Sequence, residues 1–231
     1  MRIITSFSPK RIDHQRFCMQ SWLDRGCTVI AVQTESEANA VASTFPEVQV
    51  VATDKVADAF RKPTHVRISA LLDQCRNEPG LILNSDIHLL STRDQMQRDW
   101  SVDGRFFRIG IRWEQHPKTG MARLLKYGID AFLITPDIAE QAPDIGMALG
   151  VPVWDYWLPY HVVHKMGKRL VTKKTDGLRH MAHVQNWHNS ESDIGFSIMR
   201  DHYGVSQRGL TQWIQKATGR TMVKYWNITD L

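Results

Sequence analysis

The sequence predicts an α/β fold with a mostly parallel central sheet flanked by helices, and three observations support this prediction. Between residues 1 and 86, apolar β-branched segments alternate four times with polar or helical segments. Such alternation is typical of parallel strands with helices on both faces. The chain has 231 residues, enough for one large domain with a substantial core. Hydrophobic residues make up 42% and charged residues 23%, as is ordinary for a globular protein.

The first half of the chain contains four predicted strands and three predicted helices. The strands are RIITSF, CTVIAVQT, VQVVAT and GLILNSD, and the helices are PKRIDHQRFCMQSWLDRG, ESEANAVASTF and PTHVRISALLDQC. Gly26 stands where a glycine after a helix terminus is expected, and Pro46 ends the second helix. Pro63 is predicted to lie in the first turn of the third helix.

The pattern becomes more mixed after residue 86. RFFRIGIRW, DAFLIT and RLVTKK are predicted strands, and WDYWLPYHVVHKMG is predicted to be helical on either side of Pro159. Two further helices are expected in ESDIGFSIMRDHYG and QRGLTQWIQKATG. We therefore predict one domain over residues 1–190 and a helical extension of the same domain over residues 191–231.

Charge and cysteine content narrow the class of protein. The net charge is +5 and the sequence pI about 9.2, which favours an anionic partner such as nucleic acid or a phosphorylated substrate. Three cysteines without a CxxC pair predict reduced, buried thiols. No signal peptide or membrane-spanning run is recognised, so a cytoplasmic protein is expected.

Polar side chains follow several of the predicted strands. In open α/β sheets, ligands bind at the carboxyl ends of the strands. Thr5 and Ser6 follow the first strand and can hydrogen-bond a base or a ribose, while Phe7 can offer an apolar face to a base. Thr53 and Asp54 follow the third strand.

The fourth strand ends in Asn84, Ser85 and Asp86. The Asp86 carboxylate could bind a divalent cation, and Mg²⁺ or Mn²⁺ is the cation that suits one carboxylate together with diphosphate oxygens. Asp86 could instead cap a turn, which is the commoner role of an aspartate at a strand end.

Further carboxylates are candidates for a general base. Asp155 lies in the aromatic segment VWDYWL, and aromatic surroundings tend to raise a carboxylate pKa as a base requires. It could equally be a helix N-terminal aspartate stabilised by the helix dipole. Glu114, beside Trp113, is the reserve base. Asp130 and Asp144 are explained as well by turns or caps.

Two pairs of histidines are spaced three residues apart. His180 and His183 form one pair, and His161 and His164 form the other. On a helix this spacing places both rings on one face, as a metal site needs. His161 and His164 are interpreted as structural residues.

Several segments together resemble the GT-A glycosyltransferases, a family with a single nucleotide-binding α/β domain and a D-x-D motif at a strand end. The resemblance consists of the first strand ending in T-S-F, the strand ending in N-S-D-I, and the later segments YGIDAFLIT, GVPVWDYWLPYHVV and HMAHVQNW. It covers residues 1–190, and the order of these segments is more specific than any one of them.

The resemblance implies roles for individual residues. Asp86 corresponds to the last aspartate of the motif and His183 to a late metal-binding histidine, so both would bind Mn²⁺ or Mg²⁺. Asn84 replaces the first aspartate and would contact the ribose or a metal-bound water, with Ser85 beside it. Arg67 would offset charge on the departing diphosphate.

The implied reaction is metal-dependent transfer of a sugar from a nucleotide donor, with a UDP-sugar favoured, to an acceptor hydroxyl. Asp155 would accept the proton in an inverting displacement. If no carboxylate lies beneath the anomeric carbon, a retaining mechanism is the better account. Some viral enzymes of this kind modify a hydroxymethylated base in DNA, and the cations between Lys165 and Lys174 could contact its phosphates. A bacterial or virus-infected cell is then the expected setting. One alternative is a glycan or small-molecule acceptor. Another is a binding module that has lost catalysis because of Asn84. A nucleotidyltransferase is a weaker alternative, since no glycine-rich phosphate loop follows the first strand.

Overall fold

The computed structural model describes residues 1–173, 177–182 and 189–218, with the backbone alone for 125–127. The described strands are β1 Arg2–Thr5, β2 Thr28–Thr34, β3 Gln49–Thr53, β4 Val56–Ala57, β5 Lys62–Val66, β6 Gly80–Leu83, β7 Ile87–Leu89, β8 Phe106–Gln115, β9 Ala122–Ile134, β10 Arg169–Lys173 and β11 Leu178–Met181. The described α-helices are α1 Ile12–Leu23, α2 Glu35–Thr44, α3 Ile68–Asp73, α4 Arg93–Asp99, α5 Pro136–Gln141, α6 Trp154–His164, α7 Asn189–Tyr203 and α8 Gln207–Ala217.

The central sheet has the strand order β3-β2-β1-β6-β9-β8-β11-β7, and β10 also pairs with β8. Within the described part of the chain, five of these pairings are parallel and three are antiparallel. The predicted mostly parallel α/β sheet is therefore confirmed, although the sheet is mixed: β9 runs antiparallel between β6 and β8. As a result, β1, β6, β8 and β11 share one direction and end at the same edge, here called the carboxyl edge.

Helices cover both faces of the sheet, as predicted. Helices α1, α2 and α4 pack on one face around Trp22 and Phe45, together with inward-facing residues of β1 and β6. Helices α3 and α5–α8 pack on the other face around Phe132 and Trp157. The helices α7 and α8 contribute Met199 and other apolar side chains to this second core, so they belong to the same packed layer as α6.

The segment around Pro63 corrects one prediction. Residues Lys62–Val66 form a strand that pairs with Val56–Ala57 in a small antiparallel sheet, and the helix begins only at Ile68. A proline lacks the N–H that a central strand needs, but it is tolerated in a two-stranded edge ribbon. Another difference is that α6 runs through Pro159 as one helix.

The three cysteines are buried and free, in agreement with the predicted reduced thiols. Burial raises the pKa of both Cys18 and Cys75 to about 12. These thiols are therefore protonated and unreactive at neutral pH. Within the described ranges, no helix has the length and apolar character required to cross a membrane.

Candidate functional site

The carboxyl edge brings Asp86, His180 and Glu114 together. Asp86 lies in the turn between β6 and β7, where the backbone N–H of Ile87 donates to the carbonyl of Asn84 at 3.2 Å. His180 Nε2 lies 3.1 Å from Asp86 Oδ2, and His180 Nδ1 lies 3.7 Å from Glu114 Oε1. The register that places His180 opposite Glu114 is the parallel pairing of β11 with β8. An imidazole therefore bridges the strand-end carboxylate and a second carboxylate of the sheet.

The charges of this group stabilise one another. Burial and the nearby Arg112 would lower the pKa of His180, but Asp86 and Glu114 outweigh them and the pKa is raised. Burial alone would raise the pKa of Glu114, whereas His180, Arg112 and Arg123 together hold it below its usual range. The raised pKa of His180 and the lowered pKa of Glu114 accordingly favour an imidazolium between two carboxylates.

A second chain of polar contacts lies beside the first. Asp130, in β9, is almost completely buried, with 4% of its surface exposed. Arg112 Nη1 donates to both of its carboxylate oxygens, at 3.1 and 2.9 Å, and the Asn84 amide nitrogen donates to Asp130 Oδ1. Asp130 thus lies within a strand and is neither a turn nor a cap residue, which corrects the sequence interpretation. Burial would lower the pKa of Arg112, but Asp130, Asp86 and Glu114 raise it overall.

Asn84 has an unused oxygen. Its backbone N–H donates to the carbonyl of Asp130 at 3.2 Å, and its side-chain nitrogen is engaged with the same residue. Its Oδ1 atom is buried and has no hydrogen-bond partner among the described residues. A buried oxygen without a partner is costly unless a ligand or water satisfies it.

The end of β1 contributes only part of what was predicted. Thr5 is fully buried, and its Oγ1 has no hydrogen-bond partner among the described residues. Ser6 Oγ lies 3.3 Å from the Gln33 side-chain amide. Phe7 is 2% exposed and stacks between Phe45 and Trp22, with ring centroids 4.4 and 6.3 Å away. The predicted base-stacking role of Phe7 is therefore corrected: its ring is buried in the core that contains Trp22 of α1 and Phe45.

The N-terminal part of α1 forms a wall of the site that the sequence did not suggest. The His14 ring contacts the backbone of Asp86, and its Nε2 lies 3.7 Å from Cys18 Sγ. Burial and the nearby Arg11 lower the pKa of His14, against the opposing effect of Asp86. Arg11 itself adopts a left-handed conformation, with φ of 59°, immediately before the helix.

Arg67 lies apart from this cluster, in a network of its own. Its guanidinium pairs with Asp58 Oδ2 at 2.8 Å and with Asp144 Oδ2 at 3.3 Å, and its Nε donates to the Val56 carbonyl. Asp144 also accepts from the Gly146 N–H at 3.0 Å, a contact within a turn that agrees with the turn alternative. The charge of Arg67 is compensated by two carboxylates, and its role toward a diphosphate stays a prediction.

Two predicted site residues remain to be placed. Asp155 lies in the first turn of α6, directly after Val153 and Trp154, and Val153 has a φ of 79°. Its predicted role as a base stays a prediction. His183 lies outside the described residues. His180 lies in strand β11 and not on a helix, which corrects the helical arrangement assumed for this residue.

The carboxyl edge offers oxygen ligands that suit a divalent cation. Among described residues, no group of three or more histidine, cysteine, aspartate or glutamate side chains could hold a metal ion. Mg²⁺ and Mn²⁺ are commonly bound through one or two protein ligands plus substrate phosphates, rather than by an all-protein cage. The Asp86 carboxylate and the unpartnered Asn84 Oδ1 fit this type of site. His180 would orient Asp86, as hydrogen-bonding groups behind a metal ligand do.

The predicted phosphate-binding cations are largely engaged. Lys168 Nζ pairs with Asp137 at 2.6 Å and Lys173 Nζ with Asp99 at 3.0 Å. Arg169 lies over the Phe106 ring, 5.7 Å from its centroid. Lys174 lies outside the described residues. The charge of this run is thus partly neutralised within the fold.

Comparisons with known proteins give structural similarity only. No family model matches the chain, and no curated protein matches it. A solved glycosyltransferase involved in glycosylation of the major capsid of PBCV-1 is 12% identical, with a TM-score of 0.40; the alignment covers 85% of this chain and 97% of that one. A putative glucose-1-phosphate thymidylyltransferase from Bacillus anthracis is 10% identical, with a TM-score of 0.45, over 96% of this chain and 97% of that one. HddC from Yersinia pseudotuberculosis is 9% identical, with a TM-score of 0.37, over 84% and 97%. With identities of 9–12% and TM-scores below 0.5, these similarities carry no argument about the activity of this chain.

Proposed function

We propose that this protein is a glycosyltransferase that moves a sugar from a nucleotide-diphosphate donor to an acceptor hydroxyl, with a divalent cation at Asp86. One observation carries the proposal. Asp86, at the end of the central strand β6, is held by the buried His180 and lies in the same turn as the unpartnered oxygen of Asn84. A carboxylate fixed in this way serves a ligand at the edge where α/β sheets bind their ligands.

Each residue of the site has a separate proposed role. Thr5 and Ser6 would hydrogen-bond the nucleoside at the end of β1. Asp86 and Asn84 would hold the cation, which would supply positive charge to the diphosphate leaving group. His180 and Glu114 would keep the Asp86 carboxylate in one orientation.

Asp155 is the proposed base for the acceptor hydroxyl. Glu114 is less suited to that role because its pKa lies below the usual range and it is committed to His180, Arg112 and Arg123. A general base works best with a pKa near the operating pH. With Asp155 on the face opposite the leaving group, the transfer would invert the anomeric centre.

The pairing of the cations between Lys165 and Lys174 bears on the class of acceptor. Two of the cations proposed for phosphate contacts are paired with Asp137 and Asp99. We therefore propose a hydroxyl of a glycan or a small molecule in preference to one in DNA.

The experiment is a donor screen that separates products. The protein is incubated with UDP-, GDP- and dTDP-sugars in the presence of Mn²⁺, and released nucleoside diphosphate and pyrophosphate are measured separately. We expect release of the diphosphate from one donor, increased by Mn²⁺ and abolished by a chelator. Pyrophosphate formed from a sugar phosphate and a nucleoside triphosphate would instead identify a nucleotidyltransferase. Neither product, and no stabilisation by any donor, would identify a binding module and overturn the proposal.

A further inference from the structure

The side chain at position 84 is constrained by its neighbours. Asn84 Nδ2 donates to Asp130 Oδ1, and Asp130 is in turn held by two contacts from one Arg112 nitrogen. A carboxylate only accepts hydrogen bonds, so the amide nitrogen must face Asp130. Because the amide is planar, its oxygen must then point away from Asp130.

The ion pair that imposes this orientation is well shielded. The side chains of Arg112 and Asp130 are 20% and 5% exposed. Breaking such a pair leaves an uncompensated buried charge, so the two residues hold each other firmly. The orientation of Asn84 is therefore as fixed as the pair itself.

The charge of Asp130 also determines which residue can stand at position 84. An aspartate there would place two carboxylates within hydrogen-bond distance of each other, and like charges so close cannot both ionise readily. An asparagine keeps the shape, donates to Asp130 and still offers one oxygen.

We infer that Arg112 and Asp130 are positioning residues that fix the Asn84 amide so that its Oδ1 is presented as a neutral ligand to the cation beside Asp86. The presence of a cation beside Asp86 rests on the proposed function.

A charge exchange tests the inference. Three variants are made: Asn84→Asp, Asp130→Asn, and the double variant that carries both. Each is measured for thermal stability without ligand and, in the presence of UDP as the source of diphosphate oxygens, for Mn²⁺ affinity by electron paramagnetic resonance of free Mn²⁺. Glu191→Gln is the matched control, because Glu191 forms a similarly shielded pair with Lys62 at 2.9 Å, with side chains 12% and 19% exposed.

Both single variants are expected to be less stable than the parent. Each should also bind Mn²⁺ about 10- to 100-fold more weakly, the usual effect of losing a group that orients a ligand. The double variant should recover most of both losses, since the amide introduced at position 130 can donate to the carboxylate introduced at position 84 and still accept from Arg112. The control should lose stability while its Mn²⁺ affinity stays unchanged.

Three outcomes would overturn the inference. One is tighter Mn²⁺ binding by Asn84→Asp alone, which would mean that Asp130 does not restrict position 84. Another is a double variant whose losses of stability and of Mn²⁺ affinity equal the sum of the losses in the two single variants. The third is a parent with no Mn²⁺ affinity, which removes the ligand from the inference. A parent that binds Mn²⁺ but releases no nucleoside diphosphate would overturn the proposed function alone.

Discussion

Replacing Asp86 by Ala is the most informative single change, because it affects the binding of a ligand and the stability of the fold by different amounts. Asp86 Oδ2 accepts from His180 at 3.1 Å, and the His180 side chain is only 5% exposed. Without Asp86, the imidazole keeps Glu114 at 3.7 Å as a carboxylate partner. The fold should therefore persist, with a moderate loss of stability.

The size of that loss can be derived from the contact. A hydrogen bond to a charged group contributes about 1.5–3 kcal/mol, and the 25% exposure of the Asp86 side chain favours the lower half of that range. A loss of about 2 kcal/mol lowers the Tm of a chain of this length by about 4–8 °C. A donor and Mn²⁺ at about 100 times the Kd would raise the free energy of unfolding of the parent by about 2.7 kcal/mol. The free energy of unfolding of the variant would not change.

Thermal unfolding is measured for the parent and the variant, with and without the donor and Mn²⁺. Asp54→Ala is the control, since Asp54 is an exposed carboxylate that also follows a strand of the sheet. The control should retain the full ligand-induced shift. A variant of Asp86 that retains the full Mn²⁺-enhanced shift would refute the reasoning, because the carboxylate would then serve only the turn.

Three further predictions concern other parts of the molecule. Asp155→Asn should abolish sugar transfer but leave donor binding intact, measured by product release and by the donor-induced Tm shift; unchanged turnover would exclude Asp155 as the base. Gly110→Ala should destabilise the protein by about 1–3 kcal/mol in denaturant unfolding, because a Cβ there would lie 2.9 Å from Trp100, whereas Gly104→Ala, with nothing within 4 Å, should be neutral; equal effects would contradict the packing. Burial lowers the pKa of His161, so its contribution to stability is present above about pH 6.5 and lost as the pH falls through the lowered pKa. The Tm should fall between about pH 7.5 and pH 5.5, and less steeply in His161→Gln; an identical slope would exclude this residue.

The sequence predicted the elements of the fold better than it predicted the contacts of the site. Hydrophobic periodicity located the strands that precede Ser6 and Asp86, since period and burial are local properties. The partner of Asp86 could not be found in this way, because His180 is 94 positions away in the chain. Its strand reaches Asp86 only through the pairing of β11 with β8 and β7.

Arg112 was missed, and Asp130 was misinterpreted, for a related reason. Both are polar positions within otherwise apolar strands, RIGIRW and IDAF, and a charge at such a position is costly unless it is paired. That signal indicates a buried ion pair but not its partner, which depends on the register between β8 and β9. Irregularities at Gly110/Ile111 and between Ile111 and Trp113 shift that register, and periodicity does not reveal them.

The arrangement of the strands also bears on the size of the acceptor. Arg169 begins β10 opposite Phe106, whereas Glu114 lies eight residues further along β8. At about 3.3 Å per residue, the cations at the start of β10 are about 26 Å from the level of Glu114. Only an extended polyanion could contact both places at once, and it would have to displace Asp137 from Lys168 before that cation became available. A glycan or small-molecule hydroxyl needs only the carboxyl edge, where the described charges converge, and this is why we place the acceptor there.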